Sequence, residues 1–199
     1  MADHERYRRL YDRMAPFYAL GQAMVPPWRR YAEEALRFLP ESGAVLEIGP
    51  GPGLLQRKMH APGRNLFALD LSAGMLVRVR QRLGSEANLI HADATALPLA
   101  SASLDAVVLT FVFSAIPEGE DVVRELARVL KSGGRAILVD ACVPASGNRV
   151  ATWLGRQWER FGDQLRDEAA LFAAAGLAID ERREFGAFDS IRITVGRKR

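Results

Sequence analysis

Glu47 and Asp70 are acids placed where strand-like apolar runs end, and a glycine-rich turn lies between them. The first reads Val45-Leu46-Glu47-Ile48-Gly49-Pro50-Gly51-Pro52-Gly53, a buried strand ending in an acid, then a turn that feeds a helix at Leu54. Glycines there let a ligand approach the backbone, while Pro50 and Pro52 remove N–H donors and stiffen the turn. That suits van der Waals contact more than a many-donor phosphate cradle. A dinucleotide fingerprint needs glycine at its first, third and sixth positions, and the sixth here is Leu54. A nicotinamide-dependent oxidoreductase is therefore the weaker competitor. Asp70, seventeen residues after Gly53, ends the run Leu66-Phe67-Ala68-Leu69. Its carboxylate can accept both hydroxyl protons of a ribose lying across the strand ends. The competing role, capping the next helix, falls better to Ser72. Asp93, in Ala92-Asp93-Ala94 after the third strand, can accept from the exocyclic amine of an adenine.

These acids need a scaffold that brings strand ends together. Short apolar runs alternate with amphipathic segments, the pattern of an α/β fold. The expected strands are Val45 to Ile48, Leu66 to Leu69, Leu89 to His91, Ala106 to Thr110, Ala136 to Val139, Leu177 to Ile179 and Ile191 to Val195. Several are near-continuous apolar runs, as in parallel strands covered on both faces. Met75, Leu76, Val79 and Leu83 share one face of a helix that Ser72 caps and Gly84 stops. Val122, Val123, Leu126, Val129 and Leu130 repeat the pattern, with Gly133-Gly134 as its expected end. Each helix joins one strand to the next, so right-handed crossovers build a parallel sheet with helices on both sides. Only a loop around Gly186 separates the last two strands, which predicts an antiparallel hairpin.

The 199 residues suit one domain with a single core. Its expected parts are a helical lid over 1–40, a cofactor-binding core over 41–140, and an acceptor roof with a terminal hairpin over 141–199. Hydrophobic residues make up 49% and charged residues 26%, which excludes a disordered chain. No apolar run reaches the ~18 residues of a membrane span. No signal-peptide core follows Asp3-His4-Glu5-Arg6, so the expected location is cytoplasmic. Cys142 is the only cysteine, and His4, His60 and His91 lack ligand-like spacing, so no metal site is expected. Catalysis must be metal-free or use a borrowed cofactor. The net charge is +3, and most basic residues are interleaved with acids, as on a solvated surface. The stretch from Arg57 to Arg82 is the exception, with six basic residues against Asp70 alone, and can meet phosphate or an anionic membrane.

Before the first strand, Tyr7, Leu10, Tyr11, Met14, Phe17 and Tyr18 recur at three- and four-residue intervals. That is an amphipathic helix, either packed across the sheet or serving as a lid. After Asp140, Trp153, Trp158 and Phe161 recur at helical spacing among charges. They can select a flat or greasy acceptor, dip toward a membrane beside Arg156 and Arg160, or pack on the sheet edge.

Taken together, Glu47 to Gly53, Asp70, Asp93 and Leu130-Lys131-Ser132-Gly133-Gly134-Arg135 resemble the class I S-adenosylmethionine-dependent methyltransferases, and within them the small-molecule type 11 branch. The resemblance covers roughly residues 40 to 195. It implies a Rossmann-like sheet of seven strands, mostly parallel with the last antiparallel, and helices on both faces. It implies S-adenosyl-L-methionine as cofactor, leaving as S-adenosyl-L-homocysteine. Gly49, Gly51 and Gly53 would then border its methionine and ribose parts, Asp70 the ribose hydroxyls and Asp93 the adenine. Leu71, Met75 and Ala94 would flank the ring, Thr110 and Phe111 would lie near the sulfonium, and Glu47 would organise contacts to the amine through water. Tyr11-Asp12-Arg13-Met14-Ala15-Pro16-Phe17-Tyr18 is similar to the opening segment of the ubiquinone/menaquinone-biosynthesis C-methyltransferases and the bacterial phospholipid N-methyltransferases. That likeness implies that Tyr11 and Tyr18 reach cofactor or substrate.

Many members of that family carry His near the positions of Ser114 and Ala115, where this chain reads Thr110-Phe111-Val112-Phe113-Ser114-Ala115-Ile116-Pro117. No ready general base stands there, which leaves Tyr18 and His91 as catalytic candidates. Methyl transfer is a displacement at carbon and needs a base only when the nucleophile must lose a proton. Pro26-Pro27-Trp28 precedes the first strand and follows Val25. Valine lacks the side-chain oxygen of the Asp/Asn-Pro-Pro-aromatic loop of nucleic-acid amino-methyltransferases, so nucleic acid is not the expected partner. The leading reading is methyl transfer to a small, lipophilic acceptor. Its alternatives are a phosphatidylethanolamine-type phospholipid N-methyltransferase touching an anionic membrane, and a nucleotide- or lipid-surface-binding module without turnover. The pattern sets no oligomeric state.

Overall fold

Apolar side chains in unbroken succession become strands here because both faces of the sheet are covered. The computed structural model describes residues 26–85, 87–160 and 163–199. The stripe from Tyr7 to Tyr18, with Tyr11, Tyr18 and the lid expected there, lies outside them, as do Phe161 and the side chain of Trp158. In chain order come α1 (Pro26–Glu33), a 3-10 turn (Glu34–Phe38), β1 (Gly43–Ile48), α2 (Leu54–Met59), β2 (Arg64–Asp70), α3 (Ala73–Leu83), β3 (Asn88–His91) and β4 (Leu104–Thr110). Then follow α4 (Gly119–Val129), β5 (Leu130–Ala141), α5 (Arg149–Arg160), α6 (Glu168–Ala174), β6 (Leu177–Phe185), a second 3-10 turn (Ala187–Asp189) and β7 (Ile191–Lys198). All seven expected runs form strands.

The strands make one sheet in the order β3-β2-β1-β4-β5-β7-β6. β1 pairs in parallel with β2 and β4, β2 with β3, and β4 with β5, while β7 runs antiparallel between β5 and β6. This is the Rossmann-like sheet with an antiparallel last strand that the sequence predicts. Alternate residues of one strand serve different faces. Leu46, Ile48, Val107 and Leu109 join Val122, Leu126 and Phe172 in one core. Val45, Ala106 and Val108 join Leu55, Met59 and Ile193 in the other.

Ser72 caps α3 as expected, its hydroxyl accepting from Met75 N at 3.2 Å, and Gly84 ends the helix in the left-handed region at φ 86°. The other expected helix end is wrong. α4 stops at Val129 and Leu130 is already extended, pairing with Leu104. The glycines lie inside β5, where the register slips between Leu104 and Ala106. A Cβ on Gly134 would stand 2.9 Å from the Lys131 carbonyl oxygen and 3.1 Å from that of Leu104, so the irregularity needs glycine for close backbone approach.

From β1 the chain proceeds outward to β2 and β3, then returns to the other side of β1 for β4 and β5. Strand order therefore reverses between β1 and β4, and a crevice outside their carboxyl ends is the favoured place for a ligand.

Candidate functional site

A cleft occupies that position. Glu47, Gly49 and Gly51 line it from β1 and its turn, Asp70 and Leu71 from the end of β2 and just past it, Met75 from α3, Asp93 and Ala94 from beyond β3, and Thr110 and Phe111 from the end of β4 and the turn that follows. The turn is built for glycine. Gly49 has φ +66°, and a Cβ there would fall 2.5 Å from Val112 Cγ2. Its N–H donates to the Leu69 carbonyl at 2.8 Å, tying the turn to β2.

Glu47 is 1% exposed, and its Oε2 is buried without a hydrogen-bond partner among the described residues. Burial first, and the charge of Asp70 second, push its carboxyl up to about 8. A buried carboxyl oxygen without a partner is costly, and a donor brought into the cleft beside this glycine turn relieves it. Asp70 Oδ1 accepts from Ser72 N at 2.9 Å, which fixes the carboxylate at the strand end. Asp93 Oδ1 accepts from Thr95 N at 2.9 Å and Thr95 Oγ1 at 2.8 Å. Among these acids, Leu71, Met75 and Ala94 offer apolar surface. The set matches a ligand carrying an ammonium, vicinal hydroxyls and a flat ring, which are the parts of S-adenosylmethionine.

Four residues singled out in the sequence lie outside the cleft lining or outside the described residues. Gly53 is not in the cleft lining; it precedes α2 at φ +76° and its N–H donates to the Pro50 carbonyl at 2.9 Å. His91 is exposed, outside the lining, and its Nε2 donates to the Leu71 carbonyl at 3.0 Å. Tyr11 and Tyr18 lie outside the described residues. None of the α5 side chains that are described lines the cleft, and Trp153 is 60% exposed.

Sequence reasoning missed two parts. Trp28, set aside as a misleading Pro-Pro-Trp motif, lines the cleft and stacks on Phe111 with centroids 5.2 Å apart and planes 23° apart. Its signal was an indole at the head of a helix that also carries Tyr31. The second part is the loop after β4, where Val112, Ala115, Ile116 and Pro117 form a wall of the cleft. In the same loop, Ser114 donates through its N–H and hydroxyl to the buried Asp140, at 2.8 and 3.0 Å. Burial pushes the Asp140 carboxyl up to about 7. Ser114 Oγ also lies 3.2 Å from Asp163 Oδ1. One hydroxyl carries one proton, so both contacts are hydrogen bonds only when one carboxyl holds a proton. Burial raises Asp163 as well, which favours that state.

The methyltransferase-domain family of type 11 matches residues 46–138. The demethylmenaquinone methyltransferase of Renibacterium salmoninarum is 32% identical over 143 residues, which are 69% of this chain and 60% of that protein. The enzyme of the same name from Thermus thermophilus is 32% identical over 147 residues, 69% of this chain and 67% of the other. The chain thus spans about 60 to 67% of the length of these two relatives. Among solved structures, a chain of the Haloferax volcanii complex between the Trm112 methyltransferase activator and a methyltransferase superposes with a TM-score of 0.78 at 21% identity, covering 96% of each chain.

Proposed function

Because the chain belongs to the class I S-adenosylmethionine-dependent methyltransferases, in their type 11 branch, we propose that it transfers a methyl group from S-adenosylmethionine to a small, lipophilic acceptor. The observation that carries this reading is the convergence, in one cleft, of the buried Glu47 carboxyl, whose Oε2 has no partner among the described residues, the Asp70 carboxylate and the Gly49 turn. Glu47 faces the ammonium of the cofactor, Asp70 accepts from the ribose hydroxyls, and Asp93 accepts from the adenine amine, with Leu71, Met75 and Ala94 against the ring. The cofactor supplies an electrophilic methyl on a sulfonium. The chain then aligns the nucleophile and excludes water. The Phe111 and Trp28 rings border that end, and aromatic faces favour a nearby cation. Ser114 and its buried carboxyls lie behind the wall rather than in it, so the acceptor is one that needs little help in losing a proton: a preformed anion, an activated carbon or a neutral amine.

Titration calorimetry with S-adenosylmethionine and S-adenosylhomocysteine tests the cofactor assignment. Binding with one-to-one stoichiometry is expected, and no heat at roughly millimolar ligand, a free energy under about 4 kcal/mol, overturns it. Labelled S-adenosylmethionine incubated with a cell extract, followed by mass spectrometry of the labelled products, identifies the acceptor.

Peripheral contact with an anionic membrane is the second element of the proposal. Among the described residues no helix is long and apolar enough to cross a membrane. The exposed face of α5 carries Val150 and the 60% exposed Trp153 among Arg149, Arg156 and Arg160. Such a face suits the interface of anionic lipid. The Phe188 ring, also exposed, lies on the adjoining 3-10 turn, and both elements follow strand ends on the cleft side of the sheet. Vesicles containing phosphatidylglycerol should carry the protein on flotation in a salt-sensitive manner, and Trp153→Ala should release it. Equal recovery with neutral vesicles counts against this contact.

A further inference from the structure

We propose that Arg166 is a positioning residue for methyl transfer, fixing the loop that walls the cleft after β4 from behind. The role of that wall rests on the function proposed above. The loop carries no helix or strand to satisfy its carbonyls, and Phe113 and Ser114 are buried, so their backbone groups need partners within the protein. The Ser114 N–H goes to Asp140 and Ile116 N donates to the Phe113 carbonyl at 3.2 Å, and one short segment between α5 and α6 supplies further donors to the loop carbonyls. Arg166 donates from one terminal nitrogen to the Phe113 carbonyl at 3.2 Å, and from the other to those of Ile116 at 2.7 Å and Pro117 at 2.6 Å. Gln164 N donates to the Ser114 carbonyl at 2.7 Å. The guanidinium also lies over the Phe113 ring, 5.4 Å from its centroid.

Arginine suits this task and lysine does not. Its planar fork presents five donors in fixed directions, so one side chain can hold three carbonyls that diverge along a turn. The chain also leaves room for it. A Cβ on Gly119, at the start of α4, would come within 2.8 Å of an Arg166 terminal nitrogen. Gly119 does not have a left-handed φ, so the space itself accounts for the glycine. Arg166 is outside the cleft lining, whereas Ala115, Ile116 and Pro117 are in it, so Arg166 acts through the loop. The loop and its clamp are about fifty residues apart in sequence, so the shape of the acceptor end depends on the docking of the segment before α6.

Arg166→Ala and Gly119→Ala test the clamp from its two sides, the second keeping the arginine but pushing its head aside. Amide hydrogen exchange is followed at residues 112–118 and at β1, alongside S-adenosylhomocysteine affinity by calorimetry and labelled methyl incorporation from a total cell extract. Both variants should speed exchange at 112–118 by about tenfold or more, as expected for losing charge-assisted hydrogen bonds. β1 should be unchanged, and cofactor affinity should stay within about threefold. Methyl incorporation should fall about tenfold, and Arg166→Lys should not restore it. Unchanged loop exchange in both variants overturns the clamp. A cofactor affinity that falls as far as methyl incorporation reduces Arg166 to a general structural role. If the unaltered protein binds no S-adenosylhomocysteine, the proposed function fails instead, and the loop exchange still decides the clamp.

Discussion

Trp28 and Phe111 stack in an offset pair, 5.2 Å between centroids, and so join the helix that precedes the sheet to the turn that follows β4. Phe111 takes a left-handed backbone, φ +54°, at that turn. The ring is therefore presented to the cleft by a conformation that costs a non-glycine residue about 1 kcal/mol or more. Such strain persists only where neighbours over-determine it, and the indole is one of them. Trp28→Ala should cost about 1 kcal/mol beyond the lost burial and lower methyl incorporation several-fold more than stability. Trp28→Phe should keep most of both. Thermal melts read beside the labelled-methyl assay check this, and equal activity in the alanine variant would remove the aromatic wall from the site.

Glu47 makes the ligand-free protein sensitive to pH. Its folded pKa, about 8, is above the ordinary 4.5, so the chain takes up a proton on folding between those values. The stability that goes with protonated Glu47 is complete below about pH 4.5 and is lost as pH rises through about 8. Asp140, raised from 3.8 to about 7, adds a loss of the same sign over its own window. The melting temperature should fall as pH rises across these windows, and Glu47→Gln should flatten the fall. Binding an ammonium favours the ionised carboxyl, so S-adenosylhomocysteine should bind more tightly as pH approaches 8 and should release a proton at pH 7. Calorimetry in buffers of different ionisation enthalpy reads that proton directly. Its absence, with unaltered binding by Glu47→Gln, would take Glu47 out of the amine site.

What could be read from sequence was whatever is local or periodic. The strand runs, the Ser72 cap and the terminal hairpin each depend on a few consecutive residues. Glu47 and Asp70 were legible because each ends an apolar run, and a parallel sheet brings such ends together. The wrong helix end came from treating Gly133 and Gly134 as a stop signal, when their use is a strand irregularity set by pairing with Leu104. Trp28, Asp140 and Arg166 were not legible for a different reason. Their partners Phe111, Ser114 and Pro117 stand 83, 26 and 49 positions away, and no short pattern encodes such meetings.

Asp70 is the sharpest single test of the ligand's sugar. Its Oδ1 already accepts from Ser72 N, so an alanine would disturb the start of α3 as well as the cleft. Asp70→Asn keeps an acceptor for Ser72 and loses the charge that, in the proposed function, accepts from two hydroxyls. It should weaken S-adenosylhomocysteine binding by about 1 to 3 kcal/mol, roughly five- to more than a hundredfold. Ser72→Ala is the control: it removes the cap to Met75 N and should cost about 1 kcal/mol of stability with cofactor affinity nearly intact. Equal affinities for Asp70→Asn and the unaltered protein would show that no ribose lies across this strand end.

Arg192 holds the far side of the same assembly. Its residue is 7% exposed, and it bonds Glu168 Oε2 at 3.0 Å, Glu184 Oε1 at 2.8 Å and the Val143 carbonyl at 3.1 Å. It reaches the Arg166 carbonyl as well, at 3.4 Å, so β7, α6 and the loop clamp share one buried cation. Removing it strands Glu168, which is only 3% exposed, without this partner. Arg192→Met should therefore destabilise the fold by about 3 to 5 kcal/mol in urea unfolding, because an uncompensated buried charge costs more than the pair contributes. Adding Glu168→Met should recover part of that loss, since both charges then leave the interior together. The double-mutant cycle separates this from simple packing: losses that add without recovery would mean that the two side chains are not coupled.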